Sequence, residues 1–484
     1  MCGLTMCIFG KKAKRREKHR RMAAPTAPQE KPKSHVLVLI MLECDGAAFN
    51  NFIAQLPNEG ASYNQRYEQP GIDLRGFKTA LEAQYARDLR ESQVGRDAGV
   101  LGVAYFGGVL LNPPPLELPS GLKPRRQTQT GRNVGLGDLW HLEAVDASPS
   151  HSAGRGVNVY VMDSGINENH AVMYVFVLND SLRQEFQSRD FPESFVARDD
   201  KGNTHELKDS NGHGTAVASL IGGNNVGVAK GVNIIPVKQL LPDNTLGLPT
   251  ATKSSPMSVF ESLQWVLWHV VKTEKQGKAV LNVSHGSDTS CATNIGTRPS
   301  WTDSIPDPTE EEQALSDPWK HFLKVLNQQD IVVVTSAGHD GVNTEDAAGT
   351  QSPRRLACPG AVGEKTLIVV GGSQRSVGDC GTVEFWPQSN SFGIVDVLAP
   401  GRDITVARHN YDGVWRKDDD TSLSAAITSG IIAQYLGEFD LHALEPGGVA
   451  CIVKREIGQV GVSGVQITHE GRSYPLLRTL QDEA

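Results

Sequence analysis

No stretch of the 484 residues reaches the roughly 18 consecutive apolar positions that a bilayer-spanning helix needs, so no segment reads as a membrane span. Seven cysteines are present, Cys2, Cys7, Cys44, Cys291, Cys358, Cys380 and Cys451, but no pair has CxxC spacing, which removes the usual support for a metal site. The four from Cys291 onward leave two disulfides or none open. Positive charge is not in surplus: 47 Lys and Arg stand against 55 Asp and Glu, a net charge of −8, and nothing in this balance calls for nucleic acid as a partner. An ordinary signal peptide is missing too, because the first apolar run, Val36 to Leu42, starts too late for one, and an intracellular location is the expectation. Position 2 is Cys rather than Gly, so the N-myristoylation pattern is absent. No internal repeat is evident.

What is present is ordinary globular material, long enough for two or three domains of roughly 150 residues. Basic charge is concentrated in Lys11 to Arg21, within a tail spanning 1–34 that is expected to be disordered. S-acylation of Cys2 or Cys7 beside that run would supply the two signals that membrane-surface anchoring requires; a plain basic tail is the alternative. Residues 35–112 read as a compact α+β unit, with a buried strand over Val36–Leu42, a helix over Asp45–Leu56, a second helix over Phe77–Leu89 and a strand over Leu101–Leu111. Asn112-Pro113-Pro114-Pro115 opens a linker over 113–134, where Arg125-Arg126 is a candidate processing point.

The main domain, 135–440, alternates short β-branched runs with amphipathic helices: Ile234–Val237, a helix Met257–Thr273, Ala279–Ser284, a helix Glu310–Asn327, Ile331–Thr335, Leu367–Val370 and Val395–Leu398. That alternation predicts an α/β fold with a mostly parallel central sheet flanked by helices. The remainder, 441–484, reads as a C-terminal extension of strand and helix remnants without chemistry.

Three separated segments carry chemistry. Val157 to Met162 is a strand that delivers Asp163-Ser164-Gly165 at its C-terminal end, where open α/β sheets place their sites. Asn211-Gly212-His213-Gly214-Thr215 then opens a helix of small residues that holds His213 against the sheet. Asp420-Thr421-Ser422-Leu423-Ser424-Ala425-Ala426 places a hydroxyl on the first turn of a buried helix, where unpaired backbone N–H groups favour developing negative charge. Each segment alone is ordinary, since Asp after a strand is commonly a turn residue and Ser before an apolar helix is commonly a cap.

Together they resemble the subtilisin-like serine proteases (subtilases, peptidase S8), most nearly the proteinase K branch, in the chain order Asp, His, Ser. VYVMDSG, NGHGTAVASLIGG and DTSLSAA are the matching stretches, with secondary matches at Gly227–Lys230, Val283–Gly286 and Leu398–Gly401. The resemblance covers roughly 140–436, and the upstream unit is similar to the family's I9-type inhibitory propeptide, a small ferredoxin-like α+β domain. It implies a serine endopeptidase made as a zymogen, with Asp163, His213 and Ser422 as the triad and its own propeptide as intramolecular inhibitor. It implies substrate lining by Ser284, His285, Gly286, Ser287, Ser336, Ala337 and Gly338. Protein or peptide is the substrate and a monomer is expected; no cofactor is required, no metal ligand is identified, and structural calcium, common in the family, is left open.

Two positions depart from the family pattern. The oxyanion donor, an Asn after Ala-Gly in the family, is here His339, which would act beside the Ser422 backbone N–H. Asp420 stands where the family has Gly, and a carboxylate about 7 Å from an oxyanion repels it by on the order of 2 kcal/mol at an effective dielectric near 20. These departures motivate a second reading, a catalytically impaired subtilase that binds peptides or partners. A third, an unrelated esterase of the α/β type, has little support because no G-x-S-x-G elbow surrounds Ser422.

Overall fold

The computed structural model describes residues 35–57, 64–109, 133–134, 138–147, 150, 152–167, 186, 191, 193–199, 202–242, 252–254, 256–284, 318–339, 341, 366–376, 382–391, 395–409, 415–438, 447–460 and 465–479. The basic tail with Cys2 and Cys7, the Pro-rich segment with Arg125-Arg126, and His285, Gly286 and Ser287 lie outside the described residues. Cys291, Cys358 and Cys380 lie outside them as well, while Cys44 and Cys451 are free thiols.

The first unit runs β1 (His35–Glu43), α1 (Gly46–Gln55), β2 (Gln65–Tyr67), β3 (Leu74–Glu82), α2 (Ala83–Asp88), α3 (Gln93–Asp97) and β4 (Val100–Val109). Its antiparallel sheet has the order β2-β3-β1-β4, the strand arrangement of a β-α-β-β-α-β split unit. Asp45 starts α1 by accepting the Ala48 N–H at 2.8 Å, as an N-cap should.

Phe77–Leu89 is not one helix: Phe77 to Glu82 belongs to β3, and only Ala83–Asp88 is helical. The physical reason is burial on both sides. On β1, Val38, Ile40 and Leu42 pack with Phe49, Phe52 and Leu81 inside the unit, whereas Leu39 and Met41 face the next domain. β3 between them is buried along nearly its whole length, and a strand covered on both faces shows no polar alternation to distinguish it from a helix.

The second domain is an eight-stranded sheet built from β5 (Asn158–Asp163), β6 (Phe195–Val196), β7 (Asn233–Lys238), β8 (Ala279–Val283), β9 (Ile331–Ser336), β10 (Leu367–Arg375), β11 (Val383–Phe385) and β12 (Val397–Pro400). The path is β11-β10-β9-β8-β5-β7-β6, with β12 also paired to β10, and every pairing is parallel except β10 with β11. This is the α/β, mostly parallel arrangement that the alternation of runs predicts.

Helices cover both faces. Beyond a short turn of helix, α4 (Trp140–Ala144), one face carries α5 (His213–Gly222), the other α6 (Pro256–Lys272) and α7 (Pro318–Gln328), and the long α8 (Thr421–Glu438) crosses beneath the centre of the sheet next to α5. α9 (Val449–Val460), in the segment read as a C-terminal extension, buries Val449, Ala450 and Val453 in the same core as α5 and α8.

The two units touch through α6 and α7. Gln264 donates to the Tyr67 and Leu74 carbonyls at 3.2 and 2.7 Å, and the Tyr67 and Phe260 rings meet edge to face. Arg198, salt-bridged to Glu261, lays its guanidinium over Tyr67, and His321 approaches Glu43 at 3.9 Å.

Candidate active site

β5 ends in Asp163, whose side chain is buried and whose Oδ1 accepts the Ser164 N–H at 2.7 Å. α5 begins at His213, so parallel strand and helix start meet at one edge of the sheet. The approach is possible because Gly212 has φ of 100° and because a Cβ at position 214 would lie 2.2 Å from the Gly165 carbonyl oxygen. His213 Nδ1 then donates to both Asp163 oxygens, at 2.9 and 2.8 Å.

Asp209, which no motif of the sequence singles out, organises this junction. Its buried carboxylate accepts from the Ser164 hydroxyl (2.9 Å), the Asn211 and Gly212 N–H groups (3.0 and 2.7 Å), and the Thr215 N–H and hydroxyl (3.0 and 2.6 Å). Ser164 in turn accepts the Gly214 N–H at 3.0 Å. One carboxylate thereby ties the residue after Asp163 to both sides of His213. The available signal was an Asp four residues before a His in a Gly-rich turn, which is too common a pattern to single out.

Ser422 is the second residue of α8. Its hydroxyl donates to the Ser284 carbonyl at 2.7 Å, and among the described residues that bond takes the place of one to His213. Strand end and helix are tied together by Ser284 Oγ donating to Asn282 Oδ1 at 2.6 Å and Asn282 Nδ2 donating to Ser429 Oγ at 3.0 Å.

On the adjoining strand, Ser336 donates to the same Ser284 carbonyl at 3.1 Å, and Ala337 and Gly338 follow in a loop pinned by Asn390. Asn390 Nδ2 donates to the Ala337 carbonyl at 2.9 Å and its N–H to the Gly338 carbonyl at 2.9 Å. The next residue, His339, is exposed and stacks on Trp386 at 6.2 Å between ring centroids. Neither Asn390 nor Trp386 has a local sequence signature; both act across the fold.

Asp420 is nearer the chemistry than the 7 Å expected. Its Oδ1 accepts the Ser422 N–H at 2.8 Å and lies 3.1 Å from His339 Nδ1, while Oδ2 lies 3.8 Å from His213 Nε2. The neighbouring acids are engaged elsewhere: Asp418 pairs with Arg416 at 2.8 Å, and Asp419 accepts the Asp403 N–H at 2.7 Å.

Burial disfavours an imidazolium at His213, but the charges of Asp163 and Asp420 and their hydrogen bonds outweigh it and raise the His213 pKa well above its ordinary 6.5. Asp420 is the converse. Burial would raise it, yet His339 and His213 hold its carboxyl well below the usual range.

Among the described residues no group of three or more His, Cys, Asp or Glu is placed to hold a metal ion, and no helix is long and apolar enough to cross a membrane. The arrangement therefore offers an acid-paired imidazole, a hydroxyl on a helix N-terminus, and backbone and side-chain donors beside it.

Known proteins share this framework. Residues 154–454 match the family model described as the subtilase family. The chain is 26% identical over 340 residues to an alkaline protease 1 from Aspergillus clavatus, covering 70% of this chain and 65% of that protein. It is 27% identical over 308 residues to an alkaline serine exoprotease A from Vibrio alginolyticus, covering 62% and 43% respectively, so it spans less than two thirds of either relative. In fold it is similar to an epidermin leader peptide processing serine protease from Staphylococcus aureus, at a TM-score of 0.56, 14% identity, and coverage of 92% of this chain and 97% of that one. With its family model matched across the sheet, α5 and α8, the chain belongs to the subtilase family.

Proposed function

We propose that the chain is a serine endopeptidase, made as a zymogen, that hydrolyses peptide bonds through Asp163, His213 and Ser422. The observation that carries this is the Asp163 to His213 pairing at 2.8 Å on the same sheet edge that holds Ser422 against the Ser284 carbonyl. In this reading the Ser422 hydroxyl turns from Ser284 toward His213 Nε2 and attacks the substrate carbonyl. The proton passes to His213 and then to the leaving amine. Asp163 holds the tautomer with Nδ1 protonated and stabilises the imidazolium. The Ser422 N–H and His339 receive the oxyanion.

An extended substrate lies beside Ser284 to Ser287 and Ser336 to Gly338, where backbone pairing supplies affinity and side-chain pockets supply selectivity. Residues 35–109 fit the role of propeptide, because one face of that sheet is already buried against α6 and α7. The resemblance to proteases of this kind implies no cofactor for the chemistry.

Two measurements test this. A fluorophosphonate probe is expected to label the wild type and not Ser422→Ala, and Ser422→Ala is expected to stay full length where the wild type shortens by a cut between 110 and 134, mapped by mass spectrometry. Absence of labelling in both would instead support the impaired, peptide-binding reading.

The pH dependence has a defined sign. A general base must be neutral, and the carboxylates that raise the pKa of His213 delay its deprotonation, so kcat/KM is expected to rise along an acid limb centred above the ordinary histidine value. A profile flat from about pH 6 to about pH 9 would contradict this assignment of the base.

A further inference from the structure

The site contains a carboxylate that the proposed chemistry does not use. Asp420 Oδ1 is held by the Ser422 N–H at 2.8 Å and by His339 Nδ1 at 3.1 Å, the two donors assigned to the oxyanion. An acceptor oxygen bound by both donors of an oxyanion hole sits where the substrate's carbonyl oxygen must go. Its second oxygen, 3.8 Å from His213 Nε2, stands before the nitrogen that Ser422 must reach, and the Ser422 hydroxyl is turned away to the Ser284 carbonyl at 2.7 Å. The contacts to the two donors and to His213 all come from one group, a carboxylate two residues before the nucleophile.

We propose that Asp420 is an internal stopper of the oxyanion hole: its carboxylate occupies the hole in the resting enzyme and must withdraw before a substrate carbonyl can enter. The inference rests on the proposed protease reading and adds to it a self-inhibitory contact.

Withdrawal needs only the side chain to move. The Asp420 backbone is fixed independently, its N–H donating to the Gly401 carbonyl at 2.8 Å and its carbonyl accepting the Leu423 N–H at 3.2 Å. The side chain is 21% exposed, so rotation carries it toward water. What it leaves is a pair of charge-assisted hydrogen bonds, each stronger than those a neutral substrate carbonyl makes to the same donors. If the carboxylate stayed, it would also repel the oxyanion as charge develops.

The test compares wild type, Asp420→Gly and Asp420→Asn in the full chain. The extent of the cut between 110 and 134 is measured for each variant by mass spectrometry, and rates are compared per molecule of the cut form, so that masking by the N-terminal unit does not enter the comparison. Asp420→Gly is expected to react with a fluorophosphonate probe and to turn over a small ester at least about tenfold faster than the wild type, on the scale of one charge-assisted hydrogen bond. Asp420→Asn keeps the shape and the helix cap without the charge and is expected to fall between them. It also carries the test if the Gly variant folds poorly, as judged by its thermal melt.

A peptidyl boronic acid gives a readout that a purely structural role would not move, since its tetrahedral boronate places an oxygen in the hole. It is expected to bind both variants more tightly than the wild type. Equal or slower reaction of both variants, with Ser422→Ala still unlabelled, overturns the stopper and leaves the protease reading standing. Lack of labelling in the wild type and both Asp420 variants overturns the protease reading and the stopper with it.

Discussion

Asp163→Asn is expected to lower kcat on the order of 10⁴-fold with little change in KM, the scale that loss of this carboxylate has in serine proteases that use the same three groups. In this chain the reason is geometric as well as electrostatic. His213 Nδ1 donates to both Asp163 oxygens, at 2.9 and 2.8 Å, and one of those oxygens also accepts the Ser164 N–H at 2.7 Å. That second bond requires Asn to keep its amide oxygen toward Ser164, which turns its NH₂ toward the imidazole. An NH₂ facing Nδ1 selects the tautomer with the proton on Nε2, where the base must be bare.

The same substitution removes the first of the two carboxylates that raise the His213 pKa, so the acid limb of the residual activity is expected to move to lower pH. Because Asp163 is isosteric with Asn and the fold around it is unchanged, the melting temperature should stay within a few degrees of wild type. A loss of turnover below about tenfold would show that His213 does not depend on Asp163 for its tautomer.

The second large effect is on stability. Asp209→Ala is expected to destabilise the folded chain by upwards of about 4 kcal/mol, since it strips the acceptor from several buried donors that each stand to lose about 1–3 kcal/mol. Five donors converge there, from Ser164, Asn211, Gly212 and Thr215, and the last supplies two. Water cannot replace the carboxylate easily, because Asp209 is 1% exposed and Ser164 and Thr215 are fully buried. Burial lowers the pKa of the Lys238 ammonium, which is 2% exposed, and the charges of Asp209 and Glu206 oppose that shift, so the substitution would remove a counter-charge as well.

Asp209→Asn keeps one acceptor oxygen and is expected to lie between wild type and Ala. Denaturant midpoints followed by circular dichroism, with unfolding rates in parallel, check the order. A cost for Asp209→Ala below about 1 kcal/mol would mean that the turn holding His213 is supported elsewhere.

Legibility differed sharply among these residues. Asp163, His213 and Ser422 each sit in a local pattern that is ordinary alone, a β-branched strand that ends in Asp-Ser-Gly, a Gly-flanked His and a Ser at the head of a small-residue helix, and they stand out only through the three together in that chain order. The parallel sheet was legible from alternation, since each run is short, β-branched and separated by an amphipathic helix. The sequence of Phe77–Glu82 suggests a helix because its strand is covered on one side by α1 and on the other by the second domain, which erases the period of two. Asn390 has no local signature because its partners, Ala337 and Gly338, lie in another loop. Asp209 bonds mostly to its own neighbours Asn211, Gly212 and Thr215, but an Asp in a Gly-rich turn is too common a pattern to single out, and its bond to Ser164 is made through space.

Asp420 shows where the division falls. Residue order alone determined that a carboxylate sits two places before the proposed nucleophile, that it can cap the helix, and that it replaces a residue without a side chain. Only the folded chain decided that it points into the pair of donors formed by the Ser422 N–H and His339, at 2.8 and 3.1 Å, with His213 across from it. Periodicity and caps are set by neighbours along the chain and so can be read from it. The direction of a side chain at a junction of three segments is set by the charges those segments bring together, 213, 339 and 420 being far apart in sequence, and that balance exists only once the sheet has assembled.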